Sequence, residues 1–319
     1  MKLSPLLIGA ISVFAAVSVP AQNYPVRPIR VLVAQAAGGP TDVTTRIYGT
    51  KMSELLGQQM VVDNRPGAGG SVACEIVARA PADGYTLCSA ANGTVAIAPN
   101  FLKLSYSVTK DLAPVALIGD SPLALMVHPA LAASSVKELI ALAKAKPGTI
   151  NFGSSGLSGT GHLAGELFKM MAGIDIVHVP YKGAAPALTA VASGEAQMLI
   201  SGLSSGLAFI QQKRVRAIAV TSPKRLPLLP DVPAIAETVP GYEAGSWYAV
   251  LAPARTPRAI IERLNRESIR TVTDSDIRSK LIAAGLDIYA LSPEELGIKI
   301  RTETERWGKV VKATGVKPQ

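Results

Sequence analysis

Cysteine, histidine, aromatic and charged residues are all scarce in this 319-residue chain, and each scarcity closes a class of function. Two cysteines and three histidines at no metal-ligand spacing give no basis for a metal centre, and no cofactor is expected. Aromatics make up 5% and charged residues 17% of the chain. The densest basic stretches, 213–216 and 255–270, are short or spread along an amphipathic helix. With neither a basic stripe nor stacking aromatics, a nucleic-acid partner is not expected, although the formal net charge is +9. Beyond the N-terminus no apolar run approaches the ~18 residues of a membrane span. Cys74 and Cys88 fall in a predicted helix and a predicted strand. They would close a short loop in an oxidising compartment and would serve equally as small buried residues elsewhere, so their pairing stays open.

What is present is a globular composition, 48% hydrophobic, behind an N-terminal leader. Met1-Lys2 supplies a positive start, 6–17 an apolar run, and Val19-Pro20-Ala21 small residues for cleavage. Residues 1–21 therefore read as a cleaved signal peptide, and the mature chain as exported and soluble. No cysteine lies near the cleavage point to carry a lipid anchor.

Strand-like and helix-like stretches then alternate. Strands are predicted at 29–34, 59–63 and 85–90, with helices at 41–56 (Val43, Ile47 and Leu55 apolar) and 71–80 between them. This alternation predicts βαβ units and a parallel sheet. Two more strands, 115–119 and 123–128, flank the turn-like Asp120-Ser121-Pro122. The pattern repeats with helices at 136–146, 162–171, 185–192 and 205–212, and strands at 149–152, 175–179, 197–201 and 217–221. Residues 222–241 carry five prolines and read as a surface connection. Strand 246–252 and helices 257–271, 275–284 and 293–311 close the chain. This order predicts two α/β lobes joined by two crossover strands near Ser121-Pro122 and Gly245-Ser246. The first lobe would comprise 22–122 and 246–319, the second 123–245. Ligands of such folds sit at the carboxyl ends of strands, between the lobes.

Two loops carry the functional expectation. Gly153-Ser154-Ser155-Gly156-Leu157-Ser158-Gly159-Thr160-Gly161-His162 joins a strand to a helix, and so does Ala36-Ala37-Gly38-Gly39-Pro40-Thr41-Asp42. Gly, Ser and Thr ahead of a helix offer N–H groups and hydroxyls to an anion without fixed positive charge. The candidate ligand residues are Gly38, Gly39, Pro40, Thr41 and Asp42 on one side. On the other they are Ser154, Ser155, Gly156, Ser158, Gly159 and His162. Asn92 and Thr94, which follow the third strand, Tyr181 and Ser201 complete the set. Each has a structural alternative: Asp42 can cap its own helix, the serines can fill a turn, His162 can orient the loop, and Tyr181 can pack inside a lobe.

Three enzyme-like motifs fail on their surroundings. Gly159 to Ala164 fits a dinucleotide fingerprint, but the next strand ends in Val179-Pro180-Tyr181, with no acidic residue for a ribose. Gly202-Leu203-Ser204-Ser205-Gly206 fits an esterase elbow. That mechanism needs a later histidine, and the last one is His178. Gly67 to Gly70 lacks the Lys-Ser/Thr of a phosphate loop. A secreted hydrolase using Ser204, and a sensor that reports to a membrane receptor, stand as the alternative functions.

The chain resembles the Bug family, the TctC-like periplasmic solute-binding proteins of tripartite tricarboxylate transporters. The resemblance rests on Pro28-Ile29-Arg30, Gly38-Gly39-Pro40-Thr41-Asp42, Asn64 to Gly70 and Asp83-Gly84-Tyr85-Thr86. It continues through His162 to Glu166, His178 to Gly183, Leu229 to Pro233 and Leu251-Ala252-Pro253, and so spans the mature chain. The resemblance implies a type II periplasmic-binding-protein fold that closes on a small carboxylated ligand and delivers it to membrane permease subunits, without catalysis. It also implies a Gram-negative periplasm, and a monomer is expected. Many members of the family carry an acidic residue followed by Asn where this chain has Ser201-Gly202. The expected ligand is accordingly a plain di- or tricarboxylate or an aromatic acid rather than an amino acid.

Overall fold

The computed structural model describes residues 24–156, 159–181 and 183–315. The expected signal peptide, Ser158 and the side chain of Ser204 lie outside the described residues. The first strands, β1 (Ile29–Val33), β2 (Met60–Asn64) and β3 (Thr86–Ala91), pair in parallel with β1 in the middle. Helix α1 (Pro40–Leu56) connects β1 to β2, and α2 (Ser71–Ala78) connects β2 to β3. Proline at the first turn of α1 costs no hydrogen bond there. Gly57, at φ +66°, ends the helix by turning its N–H back to the Glu54 carbonyl. The buried face of α1 is Thr41, Thr45, Tyr48, Met52 and Leu56, while Val43 is exposed. Of the apolar residues that suggest the helix, Ile47 packs on the core beside Tyr48, Met52 and Leu56 and Val43 does not, while the threonines meet polar partners below, as in the 2.6 Å contact of the Thr45 and Ser89 hydroxyls.

After a π-helical turn at Gly93–Ile97 and the short α3 (Val108–Asp111) comes β4 (Leu112–Val127). It is one continuous strand, not the two expected. Asp120-Ser121-Pro122 reads locally as a turn but is held extended by its partner β9 (Gly245–Pro253), with Ser121 opposite Ser246 and Pro122 opposite Gly245. From Leu123 onward β4 changes neighbours, pairing antiparallel with β7 (Met198–Gly202) and β8 (Arg216–Val220). Helix α4 (Val136–Ala145) leads to β5 (Asn151–Ser154), α5 (Thr160–Ala172) to β6 (Val177–Pro180), and α6 (Ala184–Ser193) to β7. Strand β5 lies between β6 and β7, parallel to both. The sheet order is β2-β1-β3-β9-β4-β7-β5-β6, with β8 also on β4. The two parallel triplets meet the expectation; the crossing strands between them are antiparallel.

Helix α7 (Leu203–Gln211) follows β7, and α8 (Arg258–Thr273), α9 (Ser275–Ala283) and α10 (Pro293–Thr314) end the chain. Residues Leu264 and Val272 of α8 and Ile277 and Leu281 of α9 join the core around β1 and Tyr48. Helix α10 is divided. Leu296 and Ile300 pack with the first half of the sheet, whereas Trp307 and Val310 pack with Phe152, Leu163 and Leu167 of the second. Ile97 and Phe101 belong to that second core too. Each large side chain so buried stabilises the fold by about 1.5–3 kcal/mol, so α10 is a third physical tie between the halves.

Candidate functional site

Five helices begin at the carboxyl ends of the parallel strands on a glycine with no side-chain cap: α1 on Gly39, α2 on Gly70, α5 on Gly159, α6 on Gly183 and α7 on Gly202. By contrast α4, α9 and α10 are capped by Ser135, Asp274 and Ser292. The first turn of α1 has no N–H at Pro40 and gives that of Thr41 to the Gln35 side chain, whereas α2 and α5 start without a side-chain cap and so leave N–H groups to another acceptor. The starts of α1, α2 and α5 border one cavity of about 730 Å³. Its walls are Ala34 to Ala36, Pro40 and Thr41 after β1; Pro66 to Gly70 after β2; and Ala91, Gly93, Thr94, Ala98, Phe101 and Leu102 after β3. Ser155, Gly159 and Thr160 face them from the second half, and Ser246 and Tyr248 from the crossing strand. None of these described lining residues is Asp, Glu, Lys, Arg or His.

Another cavity, about 650 Å³, runs along the outside of α1 and edge strand β2, past Arg46, Ser53, Glu54 and Gln58. It has no strand carboxyl end or helix start aimed into it, so the interlobe cavity is the candidate.

The loop before α1 is braced from behind. The Asp42 carboxylate accepts from the Gly38 N–H (2.8 Å), Arg46 Nε (3.0 Å) and Asn64 Nδ2 (3.0 Å). Burial opposes its ionisation, but the bonds from Arg46, Gly38 and Asn64 outweigh burial and hold its pKa below the ordinary value. Asp42 is 3% exposed and does not line the cavity; its work is to shape the loop. Gln35 Oε1 accepts the Thr41 N–H at 2.8 Å, which seats this side chain over the first turn of α1. Gly70 must be glycine: at φ +89° an added Cβ would stand 2.4 Å from the Thr94 hydroxyl and 2.7 Å from the Ala34 carbonyl.

The opposite loop is braced by aromatic rings. Ser154 Oγ accepts the Gly156 N–H (3.2 Å) and lies 2.7 Å from His178 Nε2. The His178 ring stacks on His162, with centroids 3.7 Å apart and 12° between planes. Burial, with the neighbouring imidazole adding to it for His162, pushes both pKa values down to about 4, so both rings are neutral at pH 7. The 3.9 Å approach of Glu166 to His162 is therefore not an ion pair at that pH.

Of the residues expected at the site, the cavity brings together Pro40, Thr41, Thr94, Ser155 and Gly159. Gly38 and Gly39 belong to the α1 loop but not to the wall. Asn92 is fully buried behind it, donating to the Gly245 carbonyl (2.8 Å) and accepting from Ser246 Oγ (3.0 Å), which ties the end of β3 to the crossing strand. Ser154, Gly156 and His162 shape the second loop from beneath. Tyr181 turns away, covering Gly153 and donating to Glu195 at 2.9 Å. Ser201 sits within β7 opposite Ala124 and outside the cavity, so the ligand preference drawn from it has no geometric basis. Thr160, in the expected Gly153 to His162 loop, also lines the cavity, whereas Gln35, the 66–70 loop, Phe101, Leu102, Ser246 and Tyr248 are not among the expected residues. The 66–70 loop is visible in sequence as a glycine-rich helix opener; the others have no local signal.

This is the architecture and cleft of a two-lobed solute-binding protein, and the relatives agree. The profile of the tripartite tricarboxylate transporter family receptors matches residues 44–316, and the chain belongs to that family. It is 35% identical to Protein BugT of Bordetella pertussis over 98% of both chains. Among solved structures it resembles R. palustris Rpa4515 with adipate (37% identity, TM-score 0.83, covering 93% of this chain and 100% of that one). It also resembles MatC (Rpa3494) from Rhodopseudomonas palustris with bound malate (31% identity, TM-score 0.77, covering 90% and 100%). The family consists of periplasmic solute-binding proteins, not enzymes, which removes the Ser204 hydrolase.

Proposed function

We propose that the protein captures a small organic diacid with an apolar middle between its two lobes and presents it to the permease subunits of a tripartite transporter. The lobes of this reading are 22–122 with 246–319, and 123–245, with the end of α10 seated on the second. The observation that carries it is the cleft itself: three helix starts on facing walls, hydroxyls at Thr41, Ser155 and Thr160, and no charged side chain among the described lining residues. Such a site stabilises carboxylates by N–H and O–H donation. Ala34, Ala36, Ala98, Phe101 and Leu102 suit the carbon chain between two such groups. With no described acidic side chain in the wall, the cleft has nothing to neutralise an ammonium, which disfavours amino acids. The adipate of one relative is an acid of this class, and the malate of the other is a diacid whose shorter middle carries a hydroxyl.

A thermal-shift screen of dicarboxylates, tricarboxylates, aromatic acids and amino acids on the mature protein tests the reading. Binding to the native state alone raises the melting temperature; a screen in which no acid does so ends it. Ser155→Ala should weaken binding of the selected acid about tenfold, as a bond to a charged group contributes about 1.5–3 kcal/mol.

A further inference from the structure

We propose that Cys74 and Cys88 are joined by a disulfide in the exported protein, a covalent tie that fixes α2 against β3 behind two walls of the cleft. Cys74 lies in the body of α2, whose N-cap Gly70 lines the cavity; Cys88 lies in β3, three residues before the lining residue Ala91. Their Sγ atoms are 2.7 Å apart. Two nonbonded sulfurs resist so close an approach, and the pair needs only a small further movement to reach the S–S bond length of about 2.04 Å.

Both residues are fully buried among Leu32, Val77, Ala90 and Trp247, an apolar setting bordered by Tyr106 beside Cys74 and without a cationic side chain in the cluster. Burial and the neighbouring sulfur push the Cys88 thiol well above its ordinary pKa, so neither nucleophilic nor metal-ligating chemistry is favoured in the folded chain. No group of three or more metal-ligating side chains exists among the described residues, which leaves a two-sulfur zinc site incomplete.

The oxidant is a thiol–disulfide oxidoreductase carrying a reactive cysteine pair, the class found in oxidising bacterial compartments. One cysteine thiolate attacks the oxidoreductase disulfide, forming a mixed disulfide and releasing one enzyme thiolate. The second cysteine, as thiolate, attacks the mixed disulfide at this chain's own sulfur. The Cys74–Cys88 bond forms, the two electrons leave on the enzyme's dithiol, and the two protons go to its thiolates through solvent. Because both sulfurs are inaccessible once α2 has docked, exchange precedes docking, and the finished bond is shielded from soluble reductants. The bond closes a loop between positions 14 apart, a span for which removal of unfolded-state freedom is substantial.

The inference rests on the export reading, and the test separates the two. Protein taken from the periplasmic fraction is unfolded in excess alkylating agent without reductant and weighed intact. The expected mass is lighter than the dithiol form by two hydrogens, with no adduct; prior reduction should give two adducts. Two adducts without reduction in protein shown to be periplasmic overturn the proposal. If fractionation finds the chain in the cytoplasm, the export reading fails instead. Refolding the unfolded full chain in a glutathione redox buffer then asks about pairing alone, and a chain that refolds with both thiols free overturns it. The oxidised protein should melt on the order of 5 °C above the Cys74→Ala/Cys88→Ala variant, and reductant present during unfolding should close that gap.

Discussion

On one side of the cleft the loop before α1 is held by an ionised carboxylate; on the other, the strand end before α5 is held by two neutral, stacked imidazoles. Asp42 gathers the Gly38 N–H, Arg46 and Asn64, while His178 meets the Ser154 hydroxyl and stacks on His162. Both devices aim a helix start at the cavity, and both stay out of its wall. The comparison separates shaping from binding: ionisable groups hold the loops in place, and uncharged donors face the ligand. A wall without its own charge need not hold a salt bridge in reserve for the ligand-free state, where an unpaired buried charge is expensive.

The comparison breaks most visibly at Gly161. A Cβ there would stand 2.2 Å from the Ile200 carbonyl, which belongs to a paired strand and cannot swing aside. Gly161→Ala should cost about 3 kcal/mol or more, read as a lower urea midpoint with an unchanged slope. Its counterpart on the first loop, Gly39→Ala, meets only the movable Gln35 amide at 2.5 Å. That variant should lose less than ~1 kcal/mol of stability while disturbing the Gln35–Thr41 bond.

The two braces should also fail in different pH windows. Both histidines have folded pKa values of about 4 against an ordinary 6.5. The unfolded chain therefore takes up their protons first, and stability falls as the pH drops from 6.5 to 4, by about 2–4 kcal/mol for the coupled pair. His178→Gln should flatten that stretch of the curve. The folded pKa of Asp42 is lowered too, but from the carboxyl value of 3.8, so its contribution is intact above that value and is lost only as the pH falls through the lowered one. Asp42→Asn should change the acid end and leave the 6.5 to 4 interval unaltered. Melts of the three proteins from pH 3 to 8 decide this; identical slopes for wild type and His178→Gln would remove the histidine stack from the account.

Asn92 sharpens the picture with a smaller effect. It belongs to neither loop but ties the end of β3 to the crossing strand at Gly245 and Ser246. Asn92→Ala, which leaves buried partners unpaired, should cost about 2 kcal/mol, and Ser246→Ala, which leaves the bond to Gly245, about 1 kcal/mol or less. Chemical denaturation measures both.

What was legible in the sequence followed from local chemistry. The apolar runs around Val31 and Leu87 specify buried parallel strands, and the Gly/Ser-rich stretches before Thr41 and Thr160 mark helix starts at one edge of the sheet. What was hidden is set by distant partners. Asp120-Ser121-Pro122 carries every local sign of a turn, and only pairing with Gly245 to Trp247 makes it strand. Tyr248 gains its place from pairing with β3 and β4, far back along the chain, and Tyr181 is drawn out of the cleft by Glu195. The division of α10 between two cores leaves no mark on its heptad-like apolar spacing. Asp42 is the instructive middle case, since its position was readable but its role depended on Asn64 and Arg46.

The central claim is that an uncharged cleft holds both ends of a diacid. Calorimetric titration of the mature protein at pH 7 with a straight-chain α,ω-dicarboxylate, its monocarboxylate and the matching α-amino diacid tests it most directly. The account predicts that the dicarboxylate binds at least tenfold more tightly than either of the others. Preferential binding of the amino acid, or no heat from any carboxylate, would contradict it.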